Sequence, residues 1–377
     1  MNHHVLLVLS AYYAGEKRHV DAIRAGLNTR YQFSIIAPHT QPLMGSVHGT
    51  YAIQFLGSWL STIRYIKEFN PSVVHCHGFR AMLFIRVLRM LGCIDGPIVS
   101  TVHGFHFIYG QSKTALSKMK RYCRLRFEQY LAQYQQATIA VGQSDYDALL
   151  TYRCAQLSTL HYIPNGIDMD EVGKKNSEIS AQLNALNINE NESYIVLSMA
   201  RLSTQKGGDL VVQLASMLTH TPGGIPIKYI LVGDGPERGG LDRCIQDNNL
   251  ENTVFLMGHQ ANSLDWYAYA DLFIMPSRWE GLPYALLEAM VNRVPVLGMD
   301  SPGVRDVIQV NKTGGLFESE SVSDFKLKCE FMMGTPCDSM VEMAWEMCNQ
   351  HYSQAAMLRG LDAVYRRIIE SNYAVKN

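Results

Sequence analysis

The sequence lacks several features that define other classes of protein. Its eight cysteines form no C-x-x-C pair, which argues against a paired-cysteine zinc motif and fits reduced thiols in a cytosolic protein. The first residues have neither a basic region nor a small-residue cleavage site, so we expect a first strand there and not a signal peptide. Residues 31–63 have no charged side chain, but prolines and polar residues interrupt them, and we expect no membrane span.

Charge is divided unevenly along the chain. Hydrophobic residues make up 47% and charged residues 18% of the 377 residues, which is typical of globular domains, and the length favours two of them. The formal net charge is −1, yet residues 1–165 contain 16 basic and 7 acidic side chains, whereas the remainder contains 17 basic and 27 acidic ones. We therefore expect the basic part to face an anionic partner.

Short apolar runs alternate with helical patterns throughout the chain. Runs such as 98–102 and 194–198 have the composition of buried parallel strands. The alternation predicts the α/β class with two Rossmann-like, doubly wound domains, and it places the chemistry in the cleft between them. We place the first domain at 1–168, a polar linker at 169–192 and the second domain at 193–353.

One stretch combines a loop with a helix start, after a strand predicted at 271–275. The loop contains Glu280 and Gly281, and Pro283 has the fixed φ and missing N–H that suit the first helical position. Glu288 lies two turns inside the predicted helix. Such a unit directs helix N–H groups at a ligand outside the carboxyl end of the strand, where α/β sheets bind phosphorylated ligands. The alternative is a charged loop followed by an ordinary amphipathic helix.

Two basic residues and a pair of glycines follow another predicted strand. Arg201 offers a planar fork and Lys206 a point charge, both suited to phosphate oxygens, and the glycines after Lys206 allow a backbone to approach closely. A solvated surface pair is the alternative, and the helix start at Pro283 favours phosphate binding. Gly233-x-Gly235 lacks the third glycine of a dinucleotide fingerprint, which argues against a dehydrogenase.

Histidines follow two of the strands predicted in the first domain. His103 lies where a strand ends, a position that suits a catalytic or ligand-binding residue as well as a structural one. His75 and His77 form an H-x-H pair, but no nearby carboxylate or third histidine completes a metal-binding set. We therefore expect no metal site.

A strongly basic helix is predicted at 113–135. Its basic residues alternate with apolar and aromatic ones and are Lys113, Lys118, Lys120, Arg121, Arg124 and Arg126. This pattern is typical both of a helix on an anionic membrane and of a solvated helix with an apolar stripe on the core. The positive charge of the domain favours the membrane, and no motif accompanies it that would indicate nucleic acid binding.

Together, the motifs resemble those of the retaining glycosyltransferases of family 4, over nearly the whole chain. The matching segments are G-E-K-R-H-V at 15–20, H-x-H-G at 75–78, T-V-H-G at 101–104, I-P-N-G-I-D at 163–168, Arg201 with Lys206-Gly207, G-D-G-P at 233–236 and P-S-R-W-E-G-L-P at 276–283. The resemblance implies the GT-B fold, in which two Rossmann-like domains face each other across a cleft. It also implies that a helix within 354–377 crosses back to the first domain.

The resemblance assigns roles to individual residues. Arg201 and Lys206 match the pair that holds the donor diphosphate. Glu280 and Glu288 match the carboxylates that contact the transferred sugar and the ribose, and His103 matches the histidine near the anomeric centre. The expected catalytic residues are therefore His103, Arg201, Lys206 and Glu280. The other expected donor contacts are Gly15, Gly233, Gly258, Gly281, Leu282, Pro283, Tyr284, Ala285 and Glu288.

Two departures from the family pattern concern the backbone near the donor. Ala14 precedes Gly15 where the family usually has a glycine pair, and we expect this to restrict how closely the loop approaches a phosphate. Pro283 stands in place of the second glycine of the usual E-G-F-G motif and removes one N–H. We therefore expect the amides of Tyr284 and Ala285 to matter more.

The resemblance implies a retaining, metal-independent transfer of a sugar from a nucleotide diphosphate donor, a UDP-sugar, to a polyprenyl-diphosphate-linked or other glycan acceptor, without a cofactor. The expected setting is the synthesis of a bacterial surface polysaccharide, such as lipopolysaccharide or capsule, at the inner face of the cell membrane. The residues expected to contact the acceptor or the membrane are Lys113, Lys118, Lys120, Arg121 and Arg124. The alternatives are a UDP-sugar 2-epimerase of the same architecture and a non-catalytic nucleotide-sugar-binding module.

Overall fold

The computed structural model describes residues 3–10, 14–37, 59–109 and 114–376. The chain divides into two units. The first comprises Met1–Gly166 together with Gln354–Asn377, and the second comprises Ile167–Ser353.

The first unit alternates strands and helices. Its strands are β1 (His3–Leu9), β2 (Tyr31–Ile36), β3 (Val73–His77), β4 (Ile98–Val102), β5 (Ala137–Ala140) and β6 (Leu160–Tyr162). Its helices are α1 (Ala14–Leu27), α2 (Trp59–Phe69), α3 (Phe79–Met90), α4 (His106–Tyr109), α5 (Ala115–Leu131) and α6 (Gln143–Thr151), and a 3-10 turn (Ala132–Tyr134) follows α5.

The second unit repeats this alternation. Its strands are β7 (Tyr194–Met199), β8 (Ile227–Val232), β9 (Val254–Gly258), β10 (Leu272–Met275), β11 (Val296–Met299) and β12 (Gly315–Phe317). Its helices are α7 (Ser177–Ala185), α8 (Gly208–Met217), α9 (Arg238–Asp247), α10 (Tyr284–Val291), α11 (Val322–Gly334) and α12 (Asp338–His351), with 3-10 helices at Thr204–Lys206 and Ser263–Tyr269. The last helix, α13 (Gln354–Lys376), belongs to the first unit.

Each unit is built on one parallel sheet. The strand orders are β2-β1-β3-β4-β5-β6 and β12-β11-β10-β7-β8-β9. Along β1, Leu6 and Val8 pack into one apolar core and Val5, Leu7 and Leu9 into another, because successive side chains point to opposite faces. Helices cover both faces, as an all-parallel sheet requires. Two six-stranded parallel sheets confirm the predicted α/β class with two doubly wound domains.

The strand order reverses once within each sheet. In the first unit the chain passes from β1 to β2 and then returns to β3 on the other side of β1. In the second it proceeds from β7 through β8 to β9 and then returns to β10, which pairs with β7. The loops after β7 and β10 therefore diverge at a topological switch point, where sheets of this kind bind ligands.

The segment predicted as a linker, 169–192, contains a helix and belongs to the second unit, so that prediction was wrong. The Asn176 side chain accepts a hydrogen bond from the Ile179 amide and caps α7. The Asn176 amide group also donates to the Asp265 carboxylate over 2.7 Å, and Ile179 and Leu183 are buried. Asn176, one of the polar residues that indicated a loop, is therefore the N-cap of a helix.

Helix α13 completes the core of the first unit. Its apolar residues in this core are Met357, Leu361, Val364, Tyr365, Ile368 and Ile369. The Tyr365 hydroxyl lies 2.6 Å from His75 Nδ1, and the Tyr31 hydroxyl donates to the Asp362 carboxylate over 2.9 Å. The first unit thus has both apolar and polar contacts with the last helix.

Candidate active site

The loop after β7 turns sharply in front of α8. Gly207 has φ 69° in the left-handed region, and a Cβ atom there would lie 2.1 Å from the carbonyl oxygen of Pro276. Only glycine permits this close approach. The approach brings Lys206, at the end of the preceding 3-10 turn, next to the loop that follows β10.

Lys206 and Glu280 join these two loops. The Lys206 Nζ atom lies 2.5 Å from Glu280 Oε1, with 24% of the lysine side chain and 9% of the glutamate side chain exposed. The Glu280 amide donates to the Pro302 carbonyl over 2.9 Å, which holds the carboxylate from its backbone. Two of the expected catalytic residues, Lys206 and Glu280, therefore lie together at the switch point of the second sheet.

Arg278 holds the same two loops together, and no role was predicted for it. Its guanidinium donates to both oxygens of Asp209, over 2.8 and 3.0 Å, and to the carbonyl of Thr204, and its Nε donates to Glu320 over 2.7 Å. Hydrogen bonding to Asp209, above all, raises the pKa of Arg278. The sequence could have indicated a role for Arg278, since it stands two residues before Glu280, in the loop after the strand predicted at 271–275.

Helix α10 begins one residue later than predicted. Pro283 has φ −77° and ψ 118°, an extended conformation, and therefore occupies the N-cap position instead of the first helical position. An N-cap residue still accepts the first intrahelical hydrogen bond, which the Leu287 amide donates to the Pro283 carbonyl over 3.4 Å. The first turn of the helix, with Tyr284 and Ala285, follows the Glu280 loop directly.

Glu288 is buried on α10 beside an aromatic hydroxyl. The Tyr267 hydroxyl lies 2.9 Å from both Glu288 Oε2 and the Ala285 carbonyl oxygen. Tyr267 belongs to the 3-10 helix at Ser263–Tyr269, and nothing in the sequence linked it with Glu288. The expected donor contacts Gly281 and Leu282 are buried in the loop before α10.

The predicted donor contacts Gly233 and Gly258 lie where loops pack closely. Gly233 has φ 134°, and a Cβ there would lie 1.9 Å from the Ala200 carbonyl oxygen. The Gly233 amide donates to the Gly258 carbonyl over 2.8 Å, and Gly258 has φ 68°. These glycines allow the loops after β7, β8 and β9 to meet, and Arg201 follows Ala200 in the first of them.

His103 and Gly15 belong to the first unit. Gly15 lies in the first turn of α1, and the neighbouring Glu16 accepts a hydrogen bond from the Ser10 amide over 2.9 Å. His103 is half-buried after β4 and, with Ser10 and Glu16, lines a cavity of about 330 Å³. The predicted catalytic set is thus divided between the units, with His103 in the first and the basic and acidic residues in the second.

Four histidines of the first unit lie side by side. His75 contacts the Tyr365 hydroxyl with Nδ1 and the Thr101 hydroxyl with Nε2, over 2.6 and 2.7 Å. His77 Nδ1 lies 3.2 Å from His103 Nε2, and one ring nitrogen each of His19, His77 and His103 lie within 4.8 Å of one another. Burial lowers the pKa of His19 to about 4 and the pKa values of His75 and His77 well below 6.5.

The sequence-based statement that no third histidine accompanies His75 and His77 was therefore wrong. His19 comes from α1 and His103 from the end of β4, so parallel strands and a helix bring together residues that are far apart in the chain.

Two family models match the chain. The model described as Glycosyltransferase Family 4 matches residues 2–171, and the model described as Glycosyl transferases group 1 matches residues 180–344.

The chain belongs to glycosyltransferase family 4.

Individual relatives agree with this assignment. A UDP-Gal:alpha-D-GlcNAc-diphosphoundecaprenol alpha-1,3-galactosyltransferase of Escherichia coli is 23% identical over 274 residues, which cover 72% of this chain and 69% of that protein. An alpha-D-kanosaminyltransferase of Streptomyces kanamyceticus is 24% identical over 329 residues, or 83% and 82% of the two chains. The matches to two further glycosyltransferases cover only 60% and 59% of their lengths.

A solved structure shares the fold. HepE from Anabaena, crystallised with UDP and glucose, has a TM-score of 0.80 at 17% sequence identity, covering 97% of this chain and 100% of that chain. The predicted GT-B fold is therefore confirmed. The predicted motifs divide between the two matched regions, with His103 in the first and Arg201, Lys206 and Glu280 in the second.

The predicted basic helix of this glycosyltransferase is α5. Thr114 and Ser117 form a reciprocal capping box at its start, and only Glu128 and Leu131 are buried among its 17 residues. The predicted contacts Lys118, Lys120, Arg121 and Arg124 are exposed, and Lys113 lies outside the described residues.

The apolar side of α5 faces solvent and not the core. Leu116, Met119, Tyr122, Phe127 and Tyr130 are all large and exposed, Met119 to 60%. The alternative of an apolar stripe on the core is therefore wrong for these residues. No acidic residue occurs between positions 115 and 127, so every charged side chain in this part of the helix is basic.

Among the described helices, none combines the length and the apolar composition that crossing a bilayer requires.

Proposed function

We propose that this glycosyltransferase transfers a sugar, with retention of anomeric configuration, from a UDP-sugar to a polyprenyl-diphosphate-linked or other glycan acceptor in bacterial surface polysaccharide synthesis. The contact between Lys206 and Glu280 carries the proposal, because it places a cation and a carboxylate at the switch point of the second sheet, next to the start of α10. A phosphorylated sugar needs both kinds of group.

The donor diphosphate lies between Arg201, Lys206 and the N-terminus of α10 in this proposal. When the bond between the anomeric carbon and the phosphate oxygen breaks, negative charge grows on the diphosphate, and preorganised cations and helix amides stabilise it. Lysine has three N–H donors, so Lys206 can bind a phosphate oxygen while it keeps Glu280 as a partner. The amides of Tyr284 and Ala285 contribute the helix donors.

The two carboxylates orient the donor. Glu280 accepts hydrogen bonds from hydroxyls of the transferred sugar, and Glu288, with Tyr267 at 2.9 Å, binds the ribose hydroxyls. His103 is the residue that the family resemblance assigns to the anomeric centre. The acceptor hydroxyl attacks from the face that the diphosphate leaves, so no covalent nucleophile is assigned, and the leaving-group charge is met by side chains and amides without a metal or a cofactor.

Two comparisons support the nucleotide and the acceptor. The HepE structure contains UDP and glucose. The Escherichia coli galactosyltransferase is named for UDP-galactose and a diphosphoundecaprenol-linked sugar. A lipid-linked acceptor would require this enzyme to work at a membrane surface.

Helix α5 supplies that surface contact in the proposal. Exposed Leu116, Met119 and Phe127 would enter the interface of an anionic leaflet while Lys118 and Lys120 meet lipid phosphates. The enzyme then works as a peripheral protein at the cytoplasmic face of the membrane, where both the soluble donor and the lipid-linked acceptor are available.

Transfer is tested with labelled nucleotide sugars. The full chain is incubated with UDP-sugars and GDP-mannose, each with and without polyprenyl-diphosphate-sugar acceptors, and the anomeric configuration of the product is read by NMR. We expect an α-linked product from one α-linked UDP-sugar. Absence of transfer from every donor contradicts the proposal, and conversion of a donor to its 2-epimer without acceptor would indicate the epimerase instead.

Membrane binding is tested with phosphatidylserine vesicles. Each basic residue near an anionic surface contributes about 1 kcal/mol, so the triple variant K118A/K120A/R121A should bind roughly 100-fold more weakly. The variant K174A/R243A/K312A removes three exposed basic residues of the second unit and serves as a charge-matched control. Equal loss of binding in both variants would show that net charge, and not α5, determines the contact.

A further inference from the structure

Three histidines of the first unit form a compact group of ring nitrogens, here called the histidine cluster (His19, His77 and His103). The ring centroids are 5.4 Å apart for His19 and His77, 4.9 Å for His19 and His103, and 5.5 Å for His77 and His103. One nitrogen from each ring lies within 4.8 Å of the other two. Helix α1, strand β3 and the end of β4 contribute one ring each, so three packed elements fix their positions.

The spacing of the nitrogens suits a small divalent cation. His77 Nδ1 and His103 Nε2 are 3.2 Å apart. Two imidazole nitrogens at 2.0–2.1 Å from a tetrahedral zinc ion are about 3.3 Å apart. The third ring lies within a small side-chain movement of such a position, since all three nitrogens fall inside 4.8 Å.

The bonding state of the rings separates the cluster from its neighbour His75. Both nitrogens of His75 contact hydroxyl groups, so His75 has no ligand atom left. His77 is buried, and its Nε2 has no hydrogen-bond partner among the described residues. A buried polar nitrogen without a partner is unfavourable. An ion between His77 Nδ1 and His103 Nε2 would bind the other nitrogen of this ring and leave Nε2 as its N–H group, for which a water molecule could be the partner.

One member of the cluster reaches a cavity. His103 is half-buried and lines the cavity of about 330 Å³. The carboxylates of Glu16 and Glu128 and the guanidinium groups of Arg80, Arg86 and Arg124 line the same cavity, so the imidazole rings and not the charge of the cavity would have to hold the ion. Three protein ligands leave a fourth position of a tetrahedral ion open to the cavity.

We propose that the histidine cluster binds one zinc ion per chain and that the bound ion inhibits sugar transfer by occupying His103. Imidazole ligands suit zinc better than magnesium or calcium, which prefer oxygen. The site shares His103 with the expected catalytic set and includes none of the donor-binding residues of the second unit. Binding is independent of the proposed function, whereas inhibition rests on it.

Binding is measured on the full chain after removal of metals with a chelator. Equilibrium dialysis against Zn²⁺ should show one ion more per chain in the wild type than in His77→Gln, and the affinity of that site should fall at least ten-fold in His19→Gln. His161→Gln, a half-buried histidine of the same unit outside the cluster, is the matched control and should bind as the wild type does.

A second variant guards against misfolding at the buried His77. His103→Gln changes the half-exposed member and should lose the same ion, while circular dichroism and the melting temperature report the fold. Unchanged zinc stoichiometry in both His77→Gln and His103→Gln would overturn the proposal, because a water molecule would then occupy the cluster. Cobalt distinguishes the ligands, since a thiolate charge-transfer band would place the ion on cysteine and also overturn it.

Inhibition is measured in the transfer assay. Zinc should lower the rate of the wild type at the concentration that fills the site, and a chelator should restore it. Zinc that binds without slowing transfer would overturn the inhibitory role. If no donor supports transfer at all, the proposed function fails, yet the dialysis result still decides whether the cluster binds zinc.

Discussion

At the residue scale, contacts of the backbone help to fix the positions of Lys206 and Glu280, in addition to the ion pair between their side chains. Gly207 turns the chain directly behind Lys206, and the Glu280 amide is bonded to Pro302. The Lys206 side chain is 24% exposed but the Glu280 side chain only 9%, so a variant that removes one partner leaves the other largely desolvated and without its counter-charge.

Lys206→Ala tests the leaving-group assignment. We expect kcat to fall by about two to three orders of magnitude or more, because a donor to the developing diphosphate charge is removed. The melting temperature should fall to some extent, because Glu280 loses its ion-pair partner, while the protein stays folded at the assay temperature. The measurement is steady-state transfer together with thermal unfolding, and Lys312→Ala is an exposed lysine control in the same unit. Activity near that of the wild type would contradict the phosphate role of Lys206.

Gly233→Ala tests the close packing of the loops after β7 and β8. A Cβ at Gly233 would lie 1.9 Å from the Ala200 carbonyl, and φ is 134°, so we expect a loss of about 2 kcal/mol or more of unfolding free energy. Gly239→Ala is the matched control, because its Cβ would meet nothing within 4 Å and it lies in α9. The control should gain about 0.5–1 kcal/mol by helix propensity. Equal effects in urea denaturation would refute the packing explanation.

The sequence revealed those site residues that stand close to a strand end. Arg201, Lys206 and Glu280 each follow an apolar run within a few residues, so their place at the sheet edge could be predicted. The roles of Tyr267 and of the residues that bind Arg278 could not be predicted, because these contacts join positions 21 to 74 residues apart in the chain. Such contacts depend on the strand order of the sheet, which periodicity does not show.

At the element scale, α5 is held to the first unit near its C-terminal end. Glu128 forms a buried ion pair with Arg86 on α3, at 2.6 Å between the guanidinium and Glu128 Oε2, and Leu131 is buried one turn beyond. The preceding turns are mostly exposed, but Leu125 packs against the core of the first unit and the Arg124 guanidinium lies 3.9 Å from the centre of the Phe79 ring. The buried ion pair is therefore one of several contacts that hold α5, and the only buried charged one among the described residues of the helix.

Glu128→Ala tests this attachment. The change leaves the buried Arg86 without its carboxylate, and we expect a loss of about 3–5 kcal/mol. The double variant Arg86→Met/Glu128→Leu should recover most of that loss, since it removes both buried charges. Lys175→Ala, which breaks a more exposed pair with Glu190, should cost less than about 1 kcal/mol in the same urea titration. A loss below about 1 kcal/mol in Glu128→Ala would show that the pair does not hold α5.

The sequence predicted the strands that are buried on both faces of a sheet. It did not predict helix starts that depend on an N-cap residue. The strands of both sheets were predictable because a short apolar run in an α/β chain usually forms a buried strand. Helix α7 was not, because Asn176 is equally typical of a loop and of a helix cap. Pro283 shows the same ambiguity, since its fixed φ suits both the N-cap and the first helical position.

At the scale of the whole molecule, titration differs between the units. The histidines with lowered pKa values, namely His4, His19, His75, His77 and His161, all belong to the first unit, and burial is the first cause for each. The histidines of the second unit, His220, His259 and His351, are exposed. Acid should therefore destabilise the first unit before the second.

This difference predicts two calorimetric transitions that separate on acidification. The folded first unit resists protonation, whereas the unfolded chain takes up protons below about pH 6.5, so stability is complete above that pH and falls towards pH 4. For His19 alone the loss reaches about 3 kcal/mol. Scans between pH 7.5 and 5 in the presence of a chelator measure it, and the lower melting of Gly233→Ala identifies the transition of the second unit. Parallel shifts of both transitions would contradict the prediction.

Helix α13 has a consequence for the order in which the chain is made. The residues of the second unit, Ile167–Ser353, are contiguous, whereas the first unit includes residues from both sides of them. On the ribosome, the six side chains of α13 that are buried in the first unit are made only after the whole of the second unit. The second unit can therefore fold as soon as its own residues have been made. The first unit begins earlier in the chain but cannot complete its core until α13 has been synthesised. A nascent chain stalled before Gln354 should be protected from protease in the second unit only.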